Sequence, residues 1–119
     1  MEILVDLAEG RVWIEGWDDF GSLVVSARTG RPGGADGRAL DALAAALAAV
    51  GIARVEGDEE VRVTPDGLRA LAVRAADEDG CTPGAEWEAD FTAMLDLAAH
   101  GGWIDDDGAV RAHIEWRDA

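Results

Sequence analysis

The chain has no lysine, no tyrosine, one cysteine, two histidines and three prolines in 119 residues. Each scarcity closes a class of function. Cys81 has no second cysteine to pair with, so no disulfide forms within the chain. With only His100 and His113 beside it, the chain lacks the closely spaced Cys/His set of a zinc site. Cys81 also has no basic neighbour in sequence to lower its pKa, which makes it a poor nucleophile. No apolar run is long enough to cross a bilayer, and no basic segment leading into an apolar stretch opens the chain. With a single cysteine, the expected location is cytoplasmic. No catalytic residue, metal or cofactor is expected.

Positive charge is also scarce. Ten arginines face 25 acidic residues, for a net charge of −15. Nucleic acid and anionic membrane need a cationic surface, so neither is an expected partner. A basic protein partner or self-association is expected instead.

What is present is enough to fold. Hydrophobic residues make up 49% of the chain, more than a disordered segment carries. The length suits one core. The pattern predicts a single α+β domain over residues 1–119. It predicts a mainly antiparallel sheet with helices packed on one face, in the order βββ-α-ββ-α-α-ββ.

Glu2 to Ala8 and Arg11 to Trp17 read as a hairpin about Glu9-Gly10. A two-residue turn pairs Leu7 with Val12 and Val5 with Ile14, on a core face shared with Ile3. Leu4, Asp6, Trp13, Glu15 and Trp17 take the other face. Ser22 to Arg28 is a third strand, and Thr29 to Gly37 a loop. Asp36 caps a helix from Arg38 to Val50, with Leu40, Leu43, Leu47 and Val50 as its stripe and Gly51 as its stop. Ile52–Glu56 and Glu60–Thr64 form a second hairpin. Hydrophobic matching pairs Val55 with Val61, Ala53 with Val63 and Arg54 with Arg62. Thr64-Pro65 opens a helix striped by Leu68, Leu71, Ala72 and Ala75.

Thr82-Pro83 opens the last helix, whose inward face carries Trp87, Phe91, Met94, Leu95 and Ala98. His100-Gly101-Gly102 closes it. Trp103-Ile104 and Ala109–Trp116 then form a final hairpin about Asp105–Gly108. Leu47-Ala48-Ala49-Val50-Gly51 is echoed by Leu97-Ala98-Ala99-His100-Gly101, which fits the usual Gly stop of an alanine-rich helix.

The helix, hairpin and capped "VTPDGLRAL" segment over residues 40–72 resembles the last part of a winged-helix DNA-binding domain. The helix in the recognition position is nearly all apolar, with one Arg and one Asp. Base edges and phosphates need polar side chains that reach them, so no DNA-reading role is adopted.

Three functions remain. The preferred one is a small acidic, non-enzymatic protein that binds a basic protein, in the manner of an immunity protein, an antitoxin or a nucleic-acid mimic. Its candidate contact residues are Trp13, Trp17, Asp6 and Glu15, two indoles on an acidic hairpin face. The second is a small enzyme or anion-binding protein. It uses Arg28, Arg31 and Arg38, which bracket a Gly-rich loop before a helix, together with His113 on the last strand. The third is a homo-oligomeric structural protein that hides the indoles in a self-interface. Asp105-Asp106-Asp107-Gly108 misses the calcium-loop pattern and reads as a turn.

Overall fold

A computed structural model describes residues 1–30, 36–57 and 59–117. The described elements are β1 (Glu2–Asp6), β2 (Arg11–Glu15), β3 (Val24–Arg28), α1 (Gly37–Ala49), β4 (Ala53–Val55), β5 (Glu60–Val63), α2 (Pro65–Glu78), α3 (Ala85–His100) and β6 (Val110–Arg117). The fold is α+β. Six strands form one sheet in the order β2-β1-β3-β6-β5-β4.

That sheet is mixed, which corrects the expectation of mainly antiparallel pairing. Its central pairs, β1 with β3 and β3 with β6, are parallel. The reason lies in strand composition. β3 has no charge before Arg28, and Val25, Ser26 and Ala27 are buried. Such a strand suits the sheet interior. β2 takes the edge, with Arg11 and Glu15 exposed and only Val12 and Ile14 buried, whereas β1 buries Ile3, Leu4 and Val5 between its neighbours. The chain therefore inserts β3 beside β1 rather than adding it outside β2.

The expected final hairpin is also corrected. Trp103-Ile104 makes only an isolated bridge, Ile104 to Val110, so the order ends in one strand. Arg111 N–H donates to Trp103 O at 2.8 Å, and the Asp105 carboxylate closes the turn below. The preceding glycines leave this arm too short to become a strand, and β6 pairs with β3 and β5 instead.

In the first hairpin Val5 pairs with Val12, Leu4 with Trp13 and Ile3 with Ile14, two residues off the register read from sequence. A shift of two keeps every side chain on its face. Asp6 stabilises the longer turn, accepting from Ala8 N–H at 3.0 Å and Glu9 N–H at 3.3 Å. The β4–β5 register is Val55 to Val61, Arg54 to Arg62 and Ala53 to Val63.

The core gathers alternate strand residues, among them Ile3, Val5, Val12, Ile14, Val25, Val61, Val63, Ala112 and Ile114. Against them pack Leu43 and Leu47 of α1, Leu68 and Leu71 of α2, and Trp87 and Phe91 of α3. Caps set the helix starts. Asp36 accepts from Ala39 N–H at 2.7 Å, and Thr64 Oγ1 accepts from Gly67 N–H at 3.1 Å. α3 starts later than Thr82-Pro83 predicts: its N-cap is Gly84, without a side-chain cap. Among the described residues no helix is long and apolar enough to cross a membrane.

Candidate functional site

The candidate site grows from the end of α3. Trp87 and Phe91 point inward and stack, with ring centroids 5.0 Å apart, and Phe20 tilts against Trp87 at 5.7 Å. One turn later Met94, Leu95 and Ala98 continue the same face but are only half-buried. The helix then stops in a Schellman motif. Trp103 N–H donates to Ala98 O at 2.8 Å and Gly102 N–H to Ala99 O at 3.2 Å, with Gly102 at φ +77°. This geometry throws Trp103 back toward Ala98. Gly101 makes the room, since a Cβ there would lie 2.6 Å from Trp103 Cδ1. The Arg111 guanidinium sits 5.2 Å from the indole centroid, and its Nε is held by Glu60 Oε1 at 2.6 Å.

Pairing between β3 and β6 begins only at Val24 and His113. Ahead of that point the segment Phe20–Leu23 diverges from β6, and a groove of about 450 Å³ opens. Phe20 and Leu23 form one wall. Met94, Leu95, Leu97 and Ala98 form the second, and Trp103 the third. Val110, Arg111 and His113 complete it. Two of these side chains are spread to solvent: Leu97 is 73% exposed and Trp103 49%. An exposed Leu beside an exposed Trp, at an apolar concavity, is the arrangement that marks a contact surface.

Charge surrounds the groove unevenly. Asp18-Asp19 precede Phe20, Asp96 lies between Leu95 and Leu97, and Asp105 to Asp107 follow Trp103. None of these carboxylates lines the groove itself, whose charged or titratable lining is Arg111 and His113; Asp96, between Leu95 and Leu97, lies on the opposite side of α3 from the groove-lining residues. Residues 65–100 hold eight carboxylates and two arginines. Both arginines are spent locally, Arg69 on Glu88 and Arg74 on Glu78.

Asp105 has a structural duty as well. Its Oδ1 accepts from Asp107 and Ala109 N–H, each at 3.0 Å, and its Oδ2 meets Arg54 at 2.9 Å. The bond from the Ala109 amide, more than the bond from Asp107 or the charges of Arg54 and Arg62, holds this carboxyl below its ordinary pKa of 3.8. Among the described residues no group of three or more His, Cys, Asp or Glu side chains converges to hold a metal.

Of the residues grouped from sequence, Trp13, Asp6 and Glu15 share one sheet face and Trp17 does not. Trp13 lies on the sheet face turned from the core, with Arg11 at 4.8 Å and Arg28 at 5.6 Å from its ring. Asp6 and Glu15 share that face, but its arginines offset them. Trp17 leaves it, because Gly16 at φ +64° turns the chain toward the helices. There Trp17 Nε1 donates to Asp79 at 3.0 Å, and Trp17 O accepts from Trp87 Nε1 at 2.9 Å. Arg28 belongs to the open face. Arg38 sits in the first turn of α1 beside Leu7 and Thr29, and Arg31 lies outside the described residues. His113 is exposed on β6 at the groove rim.

The sequence reading missed Leu97 and Trp103. A signal was present. Leu97 shares a helical flank with Glu86, Asp90 and Ala93, at i, i+4, i+7 and i+11, so it is an apolar residue at the end of an acidic row. Compared with protein-family models, curated proteins and solved structures, the chain matches none.

Proposed function

We propose that this protein binds a basic protein partner through the groove at the end of α3. The supporting observation is the pair of exposed apolar side chains, Leu97 and Trp103, at one groove of a chain with net charge −15. Apolar anchors supply affinity, while the net negative charge of the chain speeds encounter with a basic partner and disfavours acidic competitors. This moves the contact surface away from Trp13 and Trp17. An inhibitor of the immunity or antitoxin kind fits this reading, since such a protein acts by occupying a basic surface.

The test is affinity capture from cells that express the protein, followed by calorimetry with the purified captured protein. The expected partner is basic, binds more weakly as NaCl rises, and is lost with Leu97→Asp. An acidic partner, or one that Leu97→Asp retains at full affinity, overturns the proposal.

A second reading rests on Arg111 and His113 at the rim. There the groove takes a small apolar molecule carrying a carboxylate. A medium-chain fatty acid binding at one site, weakened by His113→Ala, supports it; no saturable binding rejects it.

A further inference from the structure

β2 is the terminal strand of the sheet, and among the described residues its outer edge has no strand partner. An open edge invites pairing with another chain. The sequence of this edge, Arg11-Val12-Trp13-Ile14-Glu15, is nearly symmetric about Trp13 in its chemistry. Arg11 and Glu15 are exposed, on the same face as Trp13, and among the described residues neither forms an ion pair. Asp6, the residue opposite Arg11, spends its carboxylate on the turn amides of Ala8 and Glu9.

We infer that β2 pairs antiparallel with β2 of a second copy of this chain, about a twofold axis at Trp13. In that register Arg11 faces Glu15 of the other copy, Glu15 faces its Arg11, Val12 faces Ile14, and the two Trp13 residues meet. Residues that aim their backbone groups outward alternate along an antiparallel strand. A register centred on one residue sets outward groups against outward groups, so the ladder closes. The faces match too: Val12 and Ile14 continue the core side, and the charged trio continues the open side. Two copies with a net charge of −15 repel each other, so self-association needs local opposite charge at the contact. The two Arg11–Glu15 pairs supply it, and the tryptophans add a cross-strand aromatic pair. α2 runs beside the edge, with Leu71, Arg74, Ala75 and Glu78 along residues 11–14, and would flank the joint on its core side.

The test is sedimentation velocity over a concentration series. The wild-type protein should sediment as a species of twice 12.5 kDa at the upper concentrations. Glu15→Arg sets like charges opposite each other across the joint, yet within the chain it faces Glu2, which the change relieves. It should weaken the dimer about tenfold, the scale of two ion pairs turned repulsive. Adding Arg11→Glu restores opposite charges in the same register and should recover the dimer, with circular dichroism confirming the fold of each variant. A wild-type monomer throughout overturns the inference. So does a dimer that Glu15→Arg leaves unchanged, or one that the double variant fails to restore.

Discussion

Two helices of this protein end in the same way and lead to different surroundings. α1 closes with Gly51 N–H on Ala48 O and Ile52 N–H on Leu47 O, Gly51 standing at φ +67°. α3 closes with the same pair of bonds through Gly102 and Trp103. The residue after the left-handed glycine swings back onto the helix in both. After α1 that residue is Ile52, 2% exposed and part of the core. After α3 it is Trp103, half in solvent. The local code is shared; what differs is what covers it. β4 and β5 follow Ile52 at once and bury it. Behind Trp103 comes only a two-residue arm and a turn. The apolar surface that α1 spends on folding is left available at the end of α3, and the proposed site is built there.

The largest test of this contrast is a pair of leucines, Leu47 and Leu97, four and five residues before those left-handed glycines. Leu47→Ala should cost about 2–5 kcal/mol of stability in a denaturant titration, because Leu47 is fully buried. Leu97→Ala should stay within about 0.5 kcal/mol, as for an ordinary surface change. Equal losses would mean that Leu97 is a core residue and the groove is closed in solution.

A smaller effect separates the glycines. Gly51→Ala and Gly102→Ala should each cost about 1–2 kcal/mol, because each puts a Cβ in the left-handed region. Gly101→Ala differs in kind. Gly101 stands at φ −80°, which any residue adopts, but its new methyl would strike Trp103. The expected readout is a shifted Trp103 emission in a single-tryptophan background, with the helix intact by circular dichroism. Unchanged emission would remove Gly101 from the account of how Trp103 is placed.

The arm behind Trp103 should be acid-sensitive where the α1 ending is not. Asp105 has a folded pKa below its ordinary 3.8, so its contribution is present above that value and is lost as pH falls through the lowered one. Wild type should therefore be more stable than Asp105→Asn near neutrality. The gap should narrow below pH 3.8 as the carboxyl protonates. A gap independent of pH would show that Asp105 acts through packing, not charge.

The smallest expected effect concerns overall charge. With net −15, moderate NaCl should raise the melting temperature by screening self-repulsion. Glu86→Gln with Asp90→Asn should shrink that rise, since both carboxylates lie on the acidic α3 flank. A fall in melting temperature with salt would mean that pairs such as Arg69–Glu88 outweigh the repulsion.

These comparisons also mark what the sequence could convey. Periodicity located all three helices and the core face of the first hairpin, and hydrophobic matching gave the β4–β5 register residue for residue. All of these are local patterns. The place of β3 beside β1 depends on which strand tolerates an edge, a competition among strands distant in sequence. The echo of Leu47–Gly51 in Leu97–Gly101 aligned the wrong glycines. Gly51 corresponds in geometry to Gly102, while Gly101 leaves the space that Trp103 occupies. The exposure of Trp103 was not legible, because a strand-like dipeptide after two glycines looks the same whether or not another element covers it. Trp17 escaped its expected face for a related reason: one glycine after the last paired residue redirected it toward the end of α2, where its indole meets Asp79, and toward Trp87 of α3.

The central claim is that the end of α3, and not the Trp13 face, meets the partner. Amide hydrogen exchange of the free protein and of its complex with the captured basic protein tests this most directly. The account predicts slowed exchange over Phe20–Leu23 and Leu97–Ile104, with β2 unchanged by partner binding. Protection confined to Arg11–Glu15 and β3, with residues 97–104 exchanging as in the free protein, would contradict it.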